Sequence, residues 1–126
     1  MKLWKRKVAR AFIFDPETNL YLIVKHLFFS SVYSLAGGGI HKDESPELAL
    51  RRELAEELNI KDENIISIKF LYKTDYTTMW IPHTADIFLV TVKDLDIKQS
   101  FEIQKIKWVN KDQLKEYLGK DVPSTL

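Results

Sequence analysis

Between Val8 and Phe14, and again between Leu20 and Val24, β-branched and aromatic residues crowd together, and Asp15-Pro16-Glu17-Thr18-Asn19 between them is turn chemistry. The two runs are expected to pair as a hairpin. Beyond Ser45 the spacing changes: Leu50, Leu54 and Leu58 recur one helical turn apart, the stripe of a helix that buries one side. Ser45 offers an N-cap hydroxyl, Pro46 suits the first helical position, and Glu47 puts an acid in the first turn. Asn59 suits a left-handed C-terminal cap, so the helix is predicted over Pro46–Leu58. Ile65–Tyr76 and Ala85–Val92 read as strands joined through Thr77–Thr84. Phe101–Val109 reads as another strand, and Asn110 is an N-cap for a last helix, Lys111–Leu118. Strand and helix periods share one chain, so the fold class is mixed α/β.

Length and composition narrow this picture. The 126 residues are expected to form a single domain, 1–126, and 45% hydrophobic with 29% charged residues is ordinary for a globular core. Nineteen Lys and Arg against eighteen Asp and Glu leave a net charge of +1, which speaks against a duplex-DNA or acidic-membrane binder. There is no cysteine, so disulfides, thiolate nucleophiles and Cys-type zinc sites are excluded and a reducing cytoplasm is compatible. The apolar stretch after the basic start Met1–Arg10 is too short for a signal-peptide core or a membrane span. His26, His41 and His83 lack the spacing of a zinc motif.

Candidate chemistry is concentrated between the glycines and the end of the first helix. Gly37, Gly38 and Gly39 allow close backbone approach, the mark of a place where something docks. At about 100° per residue, Glu53, Glu56 and Glu57 share one flank of the helix beside the leucine stripe. Like charges at such spacings repel by roughly 0.2–0.5 kcal/mol per pair on an exposed helix, unless a cation sits among them. Hard carboxylate oxygens suit Mg²⁺ or Mn²⁺. Arg52 can reach Glu56 one turn on and orient it, and the small Ala49 leaves space above the acids. Taken alone, the same charges also read as the solvated face of an amphipathic helix.

The whole string from Gly38 to Ile60 decides between these readings. Gly38, Glu44, Arg52, Glu53, Leu54, Glu56, Glu57 and Ile60 meet the pattern G-x5-E-x7-R-E-U-x-E-E-x-G-U, with U a bulky aliphatic, and the string resembles the box of the Nudix hydrolases. One specified position departs: Asn59 stands where that family has glycine, and asparagine tolerates the same left-handed backbone. Looser preferences differ too, with Ala36, His41 and Asp43 in place of a frequent proline, glutamate and glycine. Trp108-Val109 followed by Leu114 is similar to the family's closing strand and helix.

The resemblance implies an α/β/α sandwich around a mixed sheet, and hydrolysis of a nucleoside diphosphate linked to another group X by water attack on phosphorus. It implies Glu53, Glu56 and Glu57 as Mg²⁺ ligands, with the backbone carbonyl of Gly37 or Gly38 as a further ligand, and Glu44 and Arg52 as supports. The general base is Glu53 itself or a later glutamate, for which Glu102 is the candidate. Gly37, Gly38, Gly39 and Tyr76 are the expected substrate contacts. Tyr76 lies sixteen residues beyond the box, where the family's diadenosine polyphosphate hydrolases carry a tyrosine. Phe28, Phe29, Tyr33 and Trp80 are further aromatic candidates for stacking a base. The expected partner is a small nucleotide, met by a cytoplasmic monomer or homodimer. The alternatives are a non-catalytic nucleotide sensor, and an RNA 5′-end pyrophosphohydrolase, which near-zero net charge disfavours.

Overall fold

The computed structural model describes residues 4–27, 32–119 and 122–126, so the expectation for Phe28 and Phe29 lies outside the described residues. The opening hairpin forms as its residues dictate. β1 (Arg6–Asp15) and β2 (Leu20–His26) pair antiparallel from Ile13↔Leu22 to Asp15↔Leu20. Their turn is closed by the Asp15 carboxylate accepting from the Glu17 amide, and by Asn19 in the left-handed region.

The glycine run is part of the sheet. Ala36–Gly39 is a short strand, β3, antiparallel to β1 from Val8↔Gly39 to Ala11↔Ala36. One edge of β1 is thus divided: β3 takes its first half and β2 its last three residues.

The strands read as Ile65–Tyr76 and Ala85–Val92 run further than expected, as β4 (Ile65–Thr78) and β5 (Ile81–Val92). Only Met79 and Trp80 join them, both with positive φ, so the predicted eight-residue connection is a two-residue hairpin turn. Pairing extends the strands past the point where propensity fades. β6 starts at Ile103 and ends at Val109, with Phe101 and Glu102 in the turn before it. The sheet order is β4-β5-β1-β2-β6 with β3 also on β1, and β5 runs parallel to β1 while the other pairs are antiparallel.

Side chains of β1 alternate between two cores. Ala9, Ala11 and Ile13 meet Leu50, Leu54 and Leu58 of the first helix, α1 (Pro46–Leu58). Val8 and Phe12 meet Leu114 of α2 (Lys111–Leu118) on the opposite face. A sheet covered on both faces is the expected α/β/α sandwich. Each of the three fully buried leucines of α1 contributes about 1.5–3 kcal/mol. Both ends of α1 are as predicted: Ser45 Oγ accepts from the Leu48 amide at 3.2 Å, and Asn59 caps in the left-handed region at φ 61°. The Asn59 side chain also donates to the Asp96 carbonyl at 2.9 Å, tying the helix end to the β5–β6 connection. No helix among the described residues is long and apolar enough to cross a membrane.

Candidate active site

Helix α1 lies across β3, and the glycines set how near it comes. A Cβ on Gly38 would lie 2.7 Å from the Glu53 carboxyl carbon, so the missing side chain is the space that this carboxylate fills. Gly37 serves the sheet instead. Its φ is +130°, and a Cβ there would sit 2.1 Å from the Ala9 carbonyl oxygen. Gly39 turns its carbonyl toward the helix and accepts from Arg52 Nη2 at 2.9 Å.

Arg52 is the centre of a clasp. Its Nε and Nη2 donate to the two oxygens of Glu44 at 2.8 and 3.0 Å, and its Nη1 donates to Glu53 Oε1 at 3.0 Å. Glu44 also accepts from the His41 amide at 2.9 Å. Held by these donors, the Glu44 carboxyl is pulled down to about 2, and the guanidinium is made still harder to deprotonate. The orienting role expected for Arg52 is therefore directed mainly at Glu44 and Glu53. Its contact with Glu56 is a looser ion pair at 3.5 Å.

Glu57 points inward. Its side chain is buried, Oε1 has no hydrogen-bond partner among the described residues, and Oε2 lies 3.6 Å from His26 Nδ1. Burial pushes its pKa up to about 8, helped by the charge of Glu53, a hydrogen bond with Glu53 and the charge of Glu102, while Arg10 opposes the rise. The same surroundings lower His26, by burial first and the Arg10 charge second.

The three acids expected to converge are thus separated. Glu53 lies near enough for its charge to act on Glu57, while Glu56 has 61% of its side chain exposed and is drawn to Arg52. Among the described residues, no group of three Asp, Glu, His or Cys side chains is placed to hold a metal ion. The donor chemistry of the pair nevertheless fits a hard divalent cation. Both groups are carboxylates, one has an orphaned buried oxygen, and the pair holds a proton that a cation would replace.

Glu102 is exposed but near enough for its charge to act on Glu57. Tyr76 is half-buried on β4, its ring stacked on His83 at 4.9 Å and 6° and its hydroxyl accepting from Arg10 Nε at 3.3 Å. Trp80, a stacking candidate, stands on the hairpin tip with 96% of its surface exposed, and Tyr33 packs edge-on to Tyr117. Two residues at this site escaped the sequence reading. The sequence pattern singles out His26 only for the spacing of a zinc motif, and it does not single out Arg10. A signal for Arg10 was present: it is the lone charge in the apolar run from Val8 to Phe14.

A model of the NUDIX domain matches residues 4–125. Isopentenyl-diphosphate Delta-isomerase 1, chloroplastic, of Cannabis sativa is 35% identical over 79 residues, covering 57% of this chain and 28% of that protein. The NAD-capped RNA hydrolase ndx-9 of Caenorhabditis elegans is 29% identical over 133 residues, covering 94% of this chain and 34% of that protein. The chain therefore spans about a third of the length of these curated relatives. Among solved structures, a C. elegans Ap4A hydrolase binary complex superposes with a TM-score of 0.77 at 19% identity, covering 95% of this chain and 89% of that one. The E. coli dihydroneopterin triphosphate pyrophosphohydrolase reaches the same TM-score at 15% identity, covering 92% and 88%. These likenesses establish the shared fold.

Proposed function

Because the chain belongs to the Nudix family, we propose that it hydrolyses a phosphoanhydride bond in a nucleoside diphosphate linked to a second group, with Mg²⁺, or Mn²⁺ in its place, as cofactor. The observation that carries this reading is the Glu53–Glu57 pair, in which a buried carboxyl with an orphaned oxygen meets a second carboxylate laid on Gly38. Members of this family with hydrolase activity generally use divalent metal. When bound, the ion neutralises charge on the phosphate oxygens and makes a water more acidic.

The side chains divide the remaining work. Glu53 and Glu57 are the inner ligands, Glu56 is a third that must leave Arg52, and the backbone carbonyl of Gly37 or Gly38 completes the donor set. Arg52 and Glu44 hold the Glu53 carboxylate in one orientation, which lowers the reorganisation needed on binding. Glu102, exposed and within electrostatic range of Glu57, is the general base that takes a proton from the attacking water, with Glu53 as the other candidate. Gly37, Gly38, Gly39 and Tyr76 border the space for substrate.

The substrates named for similar proteins, Ap4A, NAD-capped RNA, dihydroneopterin triphosphate and isopentenyl diphosphate, are all phosphate compounds. For this chain the reading is a small nucleotide: a nucleoside triphosphate, an oxidised nucleotide or a dinucleoside polyphosphate. We place it in the cytoplasm, as a monomer or homodimer.

The experiment is turnover of a panel by the wild type and Glu57→Gln with Mg²⁺, resolved by chromatography. The panel holds normal and oxidised triphosphates, diadenosine polyphosphates, ADP-ribose, triphosphorylated RNA and isopentenyl diphosphate. Release of phosphate, pyrophosphate or nucleotide by the wild type alone is expected. Rearrangement of isopentenyl diphosphate, or nucleotide binding without release of product, would replace the hydrolase reading with an isomerase or a sensor.

A further inference from the structure

Arg10 is a half-buried guanidinium in the middle of the sheet whose acceptors are all neutral. Nε donates to the Tyr76 hydroxyl at 3.3 Å, and Nη1 is shared among the Leu35 and Gly37 carbonyls at 3.3 Å and the His26 ring nitrogen at 3.5 Å. No carboxylate among the described residues is ion-paired with it. Arg52 is its opposite: its bonds run from 2.8 to 3.0 Å and its charge is matched by Glu44 and Glu53. A charge drawn into a protein without a charged partner is costly, and long bonds shared by one nitrogen recover little of that cost. The position of Arg10 is therefore better explained by an anion that arrives with a ligand.

Tyr76 supplies the second donor. Its hydroxyl accepts from Arg10, and among the described residues its own proton has no acceptor. The ring is held by its stack on His83, whose Nδ1 is bonded to the Ile81 carbonyl at 2.9 Å. A guanidinium fork and a phenol proton meet here, and His26 links them to the carboxylate pair: its Nε2 lies 3.5 Å from Arg10 Nη1 and its Nδ1 3.6 Å from Glu57 Oε2. Paired, planar and neighbouring donors of this kind match the oxygens of a diphosphate.

We propose that Arg10 and Tyr76 form an anion subsite that holds the diphosphate oxygens of the substrate against the carboxylate pair. The proposal rests on the reading of that pair as the hydrolytic centre, but its test does not need turnover. Inorganic pyrophosphate is titrated calorimetrically into the wild type, Arg10→Lys, Arg10→Gln and Tyr76→Phe, in EDTA and again with Mg²⁺, with melting curves for each protein. Binding by the wild type is expected. Arg10→Gln should weaken it at least about tenfold, Arg10→Lys less because charge survives without the fork, and Tyr76→Phe about threefold to fivefold.

Arg10 also bridges β1 to the carbonyls of Leu35 and Gly37, so Arg10→Gln can fail to fold; Arg10→Lys and Tyr76→Phe then decide. Wild-type affinity in folded Tyr76→Phe and Arg10→Lys overturns the proposal, as does a wild type that binds no pyrophosphate under either condition. Arg10-dependent binding by a protein that hydrolyses nothing defeats the hydrolase reading and leaves the subsite standing. Hydrolysis with binding indifferent to Arg10 and Tyr76 does the reverse.

Discussion

Arg52 reaches back eight residues to grip both carboxylate oxygens of Glu44, at 2.8 and 3.0 Å, so that the loop before α1 is fastened to the helix it precedes. The same guanidinium fixes Glu53, which makes the loop, the helix and one candidate metal ligand a single rigid unit.

The clasp predicts a specific acid sensitivity. The Glu44 carboxyl is held at about 2 by Arg52 and the His41 amide, against 4.5 ordinarily, so its stabilisation is complete above 4.5 and is lost as pH falls from there toward 2. Glu44→Gln should melt below the wild type at pH 7, and the gap should shrink by pH 3. Melting curves at the two values check this, and a constant gap would sink it.

Glu57 predicts the opposite sign at higher pH. In metal-free protein its carboxyl keeps a proton up to about 8, whereas an unfolded chain releases it near 4.5, so stability declines as pH climbs through that window. Glu57→Gln keeps the shape and cannot ionise. In EDTA it should outlast the wild type at pH 8 and lose this advantage at pH 5, while abolishing turnover with Mg²⁺. Metal uptake by the wild type should release a proton at pH 7, measurable as a buffer-dependent heat.

Neighbouring glycines should fail in different ways. Gly37→Ala forces a Cβ against the Ala9 carbonyl at a φ of +130° and should cost more than about 2 kcal/mol of stability. Gly38→Ala meets only the movable end of Glu53, so stability should change by less than about 1 kcal/mol while activity falls at least about tenfold. Denaturant titration beside initial rates separates the two. Equal stability losses would contradict the assignment.

The β4–β5 turn is strained by its own side chains. Met79 and Trp80 both hold positive φ, at 50° and 69°, where a two-residue turn favours Asn-Gly. Trp80 is 96% exposed, so little packing is lost by replacing it. The double substitution Met79→Asn, Trp80→Gly should stabilise the protein by about 1–2 kcal/mol, read by chemical denaturation. Loss of stability would mean that the tip packs against something in solution.

Where local chemistry is sufficient, the chain could be read directly. Ser45, Pro46 and Asn59 act on their own backbone, and the leucine stripe is periodic, so α1 was legible to the residue. The box spacing likewise identified the family, because Arg52, Glu53 and Glu57 lie on one helix whose geometry is fixed by sequence separation. The strand identity of Gly37–Gly39 was not legible, since glycine has no strand preference and only pairing with Val8–Ala11 makes it one. The same holds for the two-residue turn at Met79-Trp80, which the pairing of long strands imposes against local preference.

Periodicity put Glu53, Glu56 and Glu57 on a common flank, but the sheet selected among them: Glu57 entered the interior, Glu53 settled on Gly38 and Glu56 stayed in solvent with Arg52. Arg10, His26 and Tyr76 come from three different strands, and their meeting depends on β3 and β2 sharing one edge of β1 while β5 brings β4 alongside. Separation along the chain fixes distances only within one helix or one strand. Between strands, distances follow from register, and register is decided by burying both faces of the sheet at once.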